Sequence, residues 1–170
     1  MSLSVYNHHS RGFYKILFVL LSFLSFAVGA RADAANTTTA ANPPLAWQTN
    51  YDAALEQSKR DGRPVLLDFT GSDWCIWCHR LDAEIFDQPA FREFAQQSLI
   101  LVQLDFPQRK KLPKALVKQN FSLQSEFHIE VYPTIVLVDA HGKELGRLGY
   151  MEGGAKTFVR SLQRLLKTTS

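Results

Sequence analysis

Apolar residues recur along this chain in two rhythms. Short runs with almost no polar interruption, PVLLDF, LILVQLDF and TIVLVDA, are too brief for helices and read as strands covered on both faces. Other stretches space their apolar residues three and four apart, the helical period. The first of these opens after Thr49 or Asn50, either of which can cap it, and puts Tyr51, Ala54 and Leu55 on one face; Asp61-Gly62 stops it ahead of Pro64. A second runs from about Cys75 with Leu81 and Ile85 in step, breaks near Pro89 and resumes through Phe91 and Phe94. A short helix is expected around SLQSEFHI, and a last one carries Phe158, Leu162, Leu165 and Leu166 on one face with Arg160, Arg164 and Lys167 off it. After TIVLVDA, residues 140–143, with Gly142 in the bend, turn the chain into ELGRLGY as a hairpin partner. The predicted order is helix, strand, helix, strand, helix, strand, strand, helix. That order describes an α/β layered domain with a βαβ start and a hairpin finish.

The N-terminal pattern is different in kind. Arg11 and Lys15 precede the apolar run ILFVLLSFLSFAV, which ends in small residues suited to cleavage. The run is shorter than the ~20 apolar residues of a membrane span, so residues 1–30 read as a signal peptide, cleaved after Ala30, Ala32 or Ala34. The mature form is then expected to be a soluble, exported protein, and no cysteine lies near the cleavage points to carry a lipid anchor. Residues 31–46, including ADAANTTTAANPP, are poor in apolar bulk and read as a flexible leader, which leaves 47–170 as one domain. Formal charge is +3, from 19 basic and 16 acidic residues; losing Arg11 and Lys15 with the leader brings it to 17 minus 16, or +1. Such a balance gives no reason to expect nucleic acid as a partner.

Chemistry concentrates in SDWCIWCHRL, which holds both cysteines of the chain, Cys75 and Cys78. C-x-x-C next to a βαβ pattern reads as a redox dithiol, whereas C-x-x-C-H, with His79, is also the attachment motif of a c-type haem. For haem, His79 supplies one axial ligand, but the candidates for the other, His128, His141 and Met151, all lie outside the box. Zinc lacks a second ligand pair, so no metal and no cofactor are expected. At the start of a helix, unpaired N–H groups and the dipole favour a thiolate at Cys75 and lower its pKa from about 8.5 toward about 7, with Asp73 working against them. Cys78 shares the face of Leu81 and Ile85 and should be the less exposed sulfur. Cys75 is therefore the expected attacking thiol and Cys78 the resolving one. Trp74 and Trp77 flank the pair as an apolar rim for an extended substrate. Asp68, inside VLLDF, is costly to bury as an anion and should have a raised pKa. Arg109, Lys110, Lys111, Lys114 and Lys118 form a basic run, with no acid among residues 106–118; it reads as a solvated face or as a dock for an acidic partner.

VLLDFTGSDWCIWCHRL followed by VYPTIVLVDAHGKELGRLGY resembles the thioredoxin superfamily, through the W-C-x-x-C box and a V-Y-P-T counterpart of that family's I-P-T. The resemblance covers nearly all of residues 49–167. It implies a thioredoxin-like fold, a central mixed β-sheet flanked by helices. It further implies that Pro133 is a cis-proline facing the cysteines, with Tyr132 and Thr134 contacting substrate backbone, and that Asp68 helps deprotonate Cys78. The chain departs from the family twice: FTGSDW sets Asp68 one residue farther from the first cysteine, and the usual lysine on the neighbouring strand is Gln103. Among exported members the resemblance is to disulfide reductases of the Dsb type, which implies a periplasmic location. The implied partners are disulfide-containing exported proteins and a membrane electron donor of the DsbD type. Two other functions remain open on the sequence, a non-catalytic adaptor with a permanent disulfide and the c-type haem carrier.

Overall fold

The computed structural model describes residues 44–168; the expected signal peptide, its cleavage points and the leader up to residue 43 lie outside the described residues. A five-stranded sheet runs in the order β1-β3-β2-β4-β5. Its strands are β1 (Trp47–Gln48), β2 (Val65–Thr70), β3 (Ile100–Asp105), β4 (Thr134–Val138) and β5 (Glu144–Gly149). β2 pairs in parallel with β3, which pairs in parallel with β1, while β4 runs antiparallel to both β2 and β5. This is the expected mixed sheet, with the βαβ unit and the hairpin where the pattern put them.

Helix α1 (Tyr51–Asp61) is capped by Asn50, whose side chain accepts a hydrogen bond from the Ala53 N–H at 3.0 Å. Gly62 closes it at φ +69°, a left-handed conformation in which a side chain would be strained, and its N–H returns to the Ser58 carbonyl. Every residue of β2 is buried, because the strand has a neighbour on each edge and helices on both faces. Alternation along it sorts the two cores. Val65, Leu67 and Phe69 pack with Tyr51 and Ala54 of α1 and with Leu123 of α4 (Lys114–Glu126). Leu66 lies on the other face, with residues of α2 (Ile76–Leu81), α3 (Pro89–Ser98) and α5 (Gly154–Thr168). Asp68, two residues from Leu66, shares that second face.

The structure differs from the predicted elements in three places. The edge strand β1 has only two residues, too few to show a period; it exists because Trp47 and Gln48 pair with Leu101 and Val102. α4 begins eight residues before SLQSEFHI, at Lys114, and the apolar residues of its first half, Val117 and Phe121 among them, stand exposed and mark no core-facing side. Between α2 and Pro89 the helix widens into a π turn at Asp82–Phe86, with the Asp87 N–H reaching back to the Asp82 carbonyl at 2.8 Å. The break itself falls at Gln88, and Pro89 opens α3, where a missing N–H is harmless. Among the described residues no helix is long and apolar enough to cross a membrane.

Candidate active site

β2 delivers the chain to Gly71, whose carbonyl accepts from the N–H groups of Trp74 and Cys75 at 3.2 and 2.9 Å. A Cβ at Gly71 would lie 2.4 Å from the Trp74 indole, so the turn requires glycine. Cys75 is the N-cap of α2, one position earlier than a first-turn residue, and its Sγ accepts from the Cys78 N–H at 3.2 Å. The two sulfurs are bonded to each other, with Cα atoms 5.3 Å apart. Cys78 is 1% exposed and Cys75 5%, the order expected. Around them Trp74, Ile76, Trp77 and Val131 stand exposed to solvent.

The two tryptophans do not form one rim. Trp74 turns toward the chain after β3: its Nε1–H donates to the Phe106 carbonyl at 2.8 Å, and its ring meets that of Tyr132 edge-on at 5.6 Å. Trp77 turns the opposite way, to Tyr150 at 5.2 Å, and the Arg80 guanidinium lies over both of those rings. Glu84 fixes this second cluster by accepting from Arg80 Nε at 3.0 Å and from the Tyr150 hydroxyl at 2.5 Å. The Tyr132-Pro133 bond is cis, and Thr134 at the head of β4 donates its hydroxyl proton to the Val131 carbonyl. Tyr132 is thereby placed against Trp74 on one side and Phe106 on the other.

Asp73 takes a role that its local sequence does not suggest. Its carboxylate accepts from the backbone N–H groups of Gln108, Arg109 and Lys110 at 2.8 to 2.9 Å, and the Arg109 guanidinium donates to its carbonyl. These bonds, Gln108's foremost, hold its pKa down to about 2. The charge expected to oppose a thiolate at Cys75 is thus directed into a loop more than thirty residues away in sequence. Ser72 reinforces the same junction by donating its N–H and hydroxyl to Asp105 at 2.9 and 2.6 Å. His79 ties α2 back to it through Nε2 and the Ser72 carbonyl, 3.0 Å apart.

Asp68 is buried, and neither carboxyl oxygen has a hydrogen-bond partner. Burial first, then the nearby charge of Asp82, pushes its pKa well above the usual carboxylate range; the neighbouring Gln103 amide pulls the other way, and Asp105 adds a smaller push. Gln103 is its register partner on β3, and a neutral amide there cannot neutralise the carboxylate as a lysine would. Asp82 is a further acidic residue of this region. It lies four residues after Cys78 at the head of the π turn, and its N–H donates to the Cys78 carbonyl. Burial, then Asp87, pushes its pKa up to about 6, against a smaller opposing pull from His79. The i, i+4 spacing from Cys78 could have flagged it in the sequence.

These raised carboxyls give stability a definite pH slope. Between the unfolded pKa of about 4 and the higher folded value the native state binds more protons, so stability falls as pH rises through that window. Asp68→Asn removes the larger part of the effect. The variant should melt several degrees above the parent near neutral pH, with the difference closing toward about pH 4. Thermal melts of the oxidised protein across pH check this; a pH-independent difference would assign Asp68 a packing role alone.

Comparison with known proteins places these features in a family. A family model described as a thioredoxin-like domain matches residues 51–165. The disulfide bond reductase DsbH of Chlamydia pneumoniae is 36% identical over 152 residues, covering 88% of this chain and 91% of that protein. A solved structure of DsbH oxidoreductase aligns with a TM-score of 0.70 at 38% identity, covering 72% of this chain and 85% of that one. The oxidised C-terminal domain of DsbD from Neisseria meningitidis, 21% identical, shares the fold with a TM-score of 0.52 over 70% of this chain and 98% of its own.

Proposed function

The chain belongs to the thioredoxin-like family of thiol-disulfide oxidoreductases, and on that premise we propose that it is an exported disulfide reductase acting through Cys75 and Cys78. The observation that carries this reading is the asymmetry of the pair. Cys75 caps a helix, where backbone N–H groups face its sulfur, while Cys78 is sealed on the helix face above the sheet. In the reduced protein the Cys75 thiolate attacks a substrate disulfide, forming a mixed disulfide and expelling one substrate thiolate. Cys78 then gives its proton to Asp68 and attacks the Cys75 sulfur, which releases the second substrate thiolate and leaves Cys75 bonded to Cys78. Two electrons have passed to the substrate.

Tyr132, Pro133 and Thr134 are proposed to hold the substrate backbone beside the sulfurs, with Trp74 and Trp77 gripping its flanks from separate sides. Export follows from residues 1–30 as a signal peptide, with 31–46 as leader and 47–170 as the working domain. The substrates are then disulfide-containing exported proteins in the periplasm, and a membrane donor of the DsbD type returns the two electrons. Similarity to a protein named disulfide bond reductase supports this direction. A simple assay separates it from a non-catalytic adaptor. With dithiothreitol as reductant, the mature protein should make insulin precipitate well ahead of the dithiothreitol blank, whereas an adaptor with a closed disulfide leaves the blank rate unchanged.

A further inference from the structure

We propose that the cleft between Trp74 and α4 docks an acidic, aromatic-bearing segment of the substrate protein, so that the reductase selects disulfides by the charge of their surroundings. The proposal rests on the reductase reading above and adds a substrate class to it.

The cleft has a volume of about 510 Å³, and its walls include Trp74, Phe106, Lys110, Lys111, Val117 and Phe121. That is within the ~300–1,000 Å³ of ordinary ligand sites. Its floor is aromatic: Phe106 contacts Tyr132 at 5.3 Å and Phe121 at 5.5 Å. Val117 and Phe121, four apart on α4, leave an apolar stripe facing solvent, with Phe121 58% exposed. Phe121 meets Phe106 edge-on and leaves the rest of its ring to solvent.

The rim is cationic. Lys110 and Lys111 line the cleft, and Lys114 continues the Val117 and Phe121 stripe, three and seven residues before them. Two carboxylates lie close by, those of Asp73 and Asp105, and both are already engaged, by three loop N–H groups and by Ser72 respectively. Arg109 and Lys110 donate to the Asp73 carbonyl and to Ser72, whereas Lys111 and Lys114 have no acidic partner among the described residues. Four cations against two occupied anions leave the rim positive. An apolar floor under a positive rim fits an aromatic side chain with carboxylates beside it.

The cleft is also preformed and connected to the chemistry. Its loop is irregular, yet Asp73 holds three of its N–H groups, Trp74 holds the Phe106 carbonyl, and the Asn120 amide donates to the Asp105 carbonyl at 2.9 Å. Trp74 is both a wall of the cleft and the residue before Cys75. A segment seated there therefore places its cysteine within a few residues of the reactive sulfur.

The test uses pairs of disulfide-linked peptides that share a phenylalanine near the cysteine and differ only in flanking glutamates or lysines. At low salt the reduced protein should reduce the glutamate peptide with about tenfold higher kcat/KM, an advantage that shrinks as salt screens the rim. Lys111→Glu with Lys114→Glu, its fold checked by a melting curve, should reverse the order, and Phe121→Ser should weaken both peptides. Equal rates for the two peptides, or a preference that survives the double substitution, would overturn the proposal. Hydroxyethyl disulfide, neutral and small, reports the dithiol chemistry of the parent protein by itself. Equilibrium binding of a cysteine-to-serine glutamate peptide reads the cleft without any thiol step. Failure with hydroxyethyl disulfide but retained peptide binding would sink the reductase reading and keep the dock; absence of that binding would sink the dock.

Discussion

Cys75→Ser is expected to return disulfide reduction to the uncatalysed blank, and Cys78→Ser to permit one attack that stops at a mixed disulfide. The difference follows from position. Cys75 caps α2, where helix N–H groups stabilise an anion, and a thiol with a pKa near 7 is about half thiolate at neutral pH against about 3% for an ordinary one. Cys78 is nearly sealed and has no comparable route to a substrate. Without Cys78 no second thiolate lies within reach to release the substrate, so the adduct accumulates and is seen as a mass increase that dithiothreitol reverses. Alkylation of the reduced parent at neutral pH should modify Cys75 first. If Cys75→Ser traps substrate instead, the roles are exchanged. If neither cysteine of the reduced protein takes the alkylating agent, thioether linkage of the C-x-x-C-H motif becomes the better reading.

The residues that could be read from sequence are those whose behaviour is decided locally. The runs of β2, β3 and β4 are unbroken because both faces of those strands are covered; Asn50 and Gly62 act on backbone groups within one turn; and the placement of Cys75 at a helix start needs only a strand before it and a helix after it. Pro133 was legible only through family resemblance, since nothing in its own residue type selects the cis form. What escaped was decided at long range. β1 exists through its pairing with β3, and the first half of α4 turns Val117 and Phe121 to solvent, so its apolar residues do not mark a core-facing side. Asp73 fastens a loop over thirty residues downstream, and the Arg80, Glu84 and Tyr150 cluster that parts Trp77 from Trp74 spans more than sixty. Periodicity carries no information about such partners. Asp68 shows the intermediate case: its cost was visible in VLLDF, whereas the lack of any hydrogen-bond partner was not.

The midpoint of the Cys75 and Cys78 couple should lie near thioredoxin's value of about -270 mV and far from the oxidase value of about -120 mV. A high potential requires a reduced form held down by a strongly stabilised thiolate. Here the Cys75 sulfur has the N-terminus of α2 and the Cys78 N–H, and the intervening residues, Ile76 and Trp77, contribute no cation. The basic groups of α2 and of the neighbouring loop are committed elsewhere, His79 to the Ser72 carbonyl, Arg80 to Glu84, Arg109 to the Asp73 carbonyl and Lys110 to Ser72. On the buried side the balance tilts further: Asp68 and Asp82 both have raised pKa values because burial makes a standing negative charge costly there. The reduced pair is thus a good electron donor, because little holds it in that state. The two candidate midpoints differ by about 150 mV, or roughly five powers of ten in the exchange equilibrium at ~30 mV per decade, so the measurement cannot confuse them. Equilibration against dithiothreitol and thioredoxin couples, with the oxidised fraction read by alkylation, locates the value. A midpoint near the oxidase end would reverse the proposed direction of electron flow and make the protein a source of disulfides for its partners.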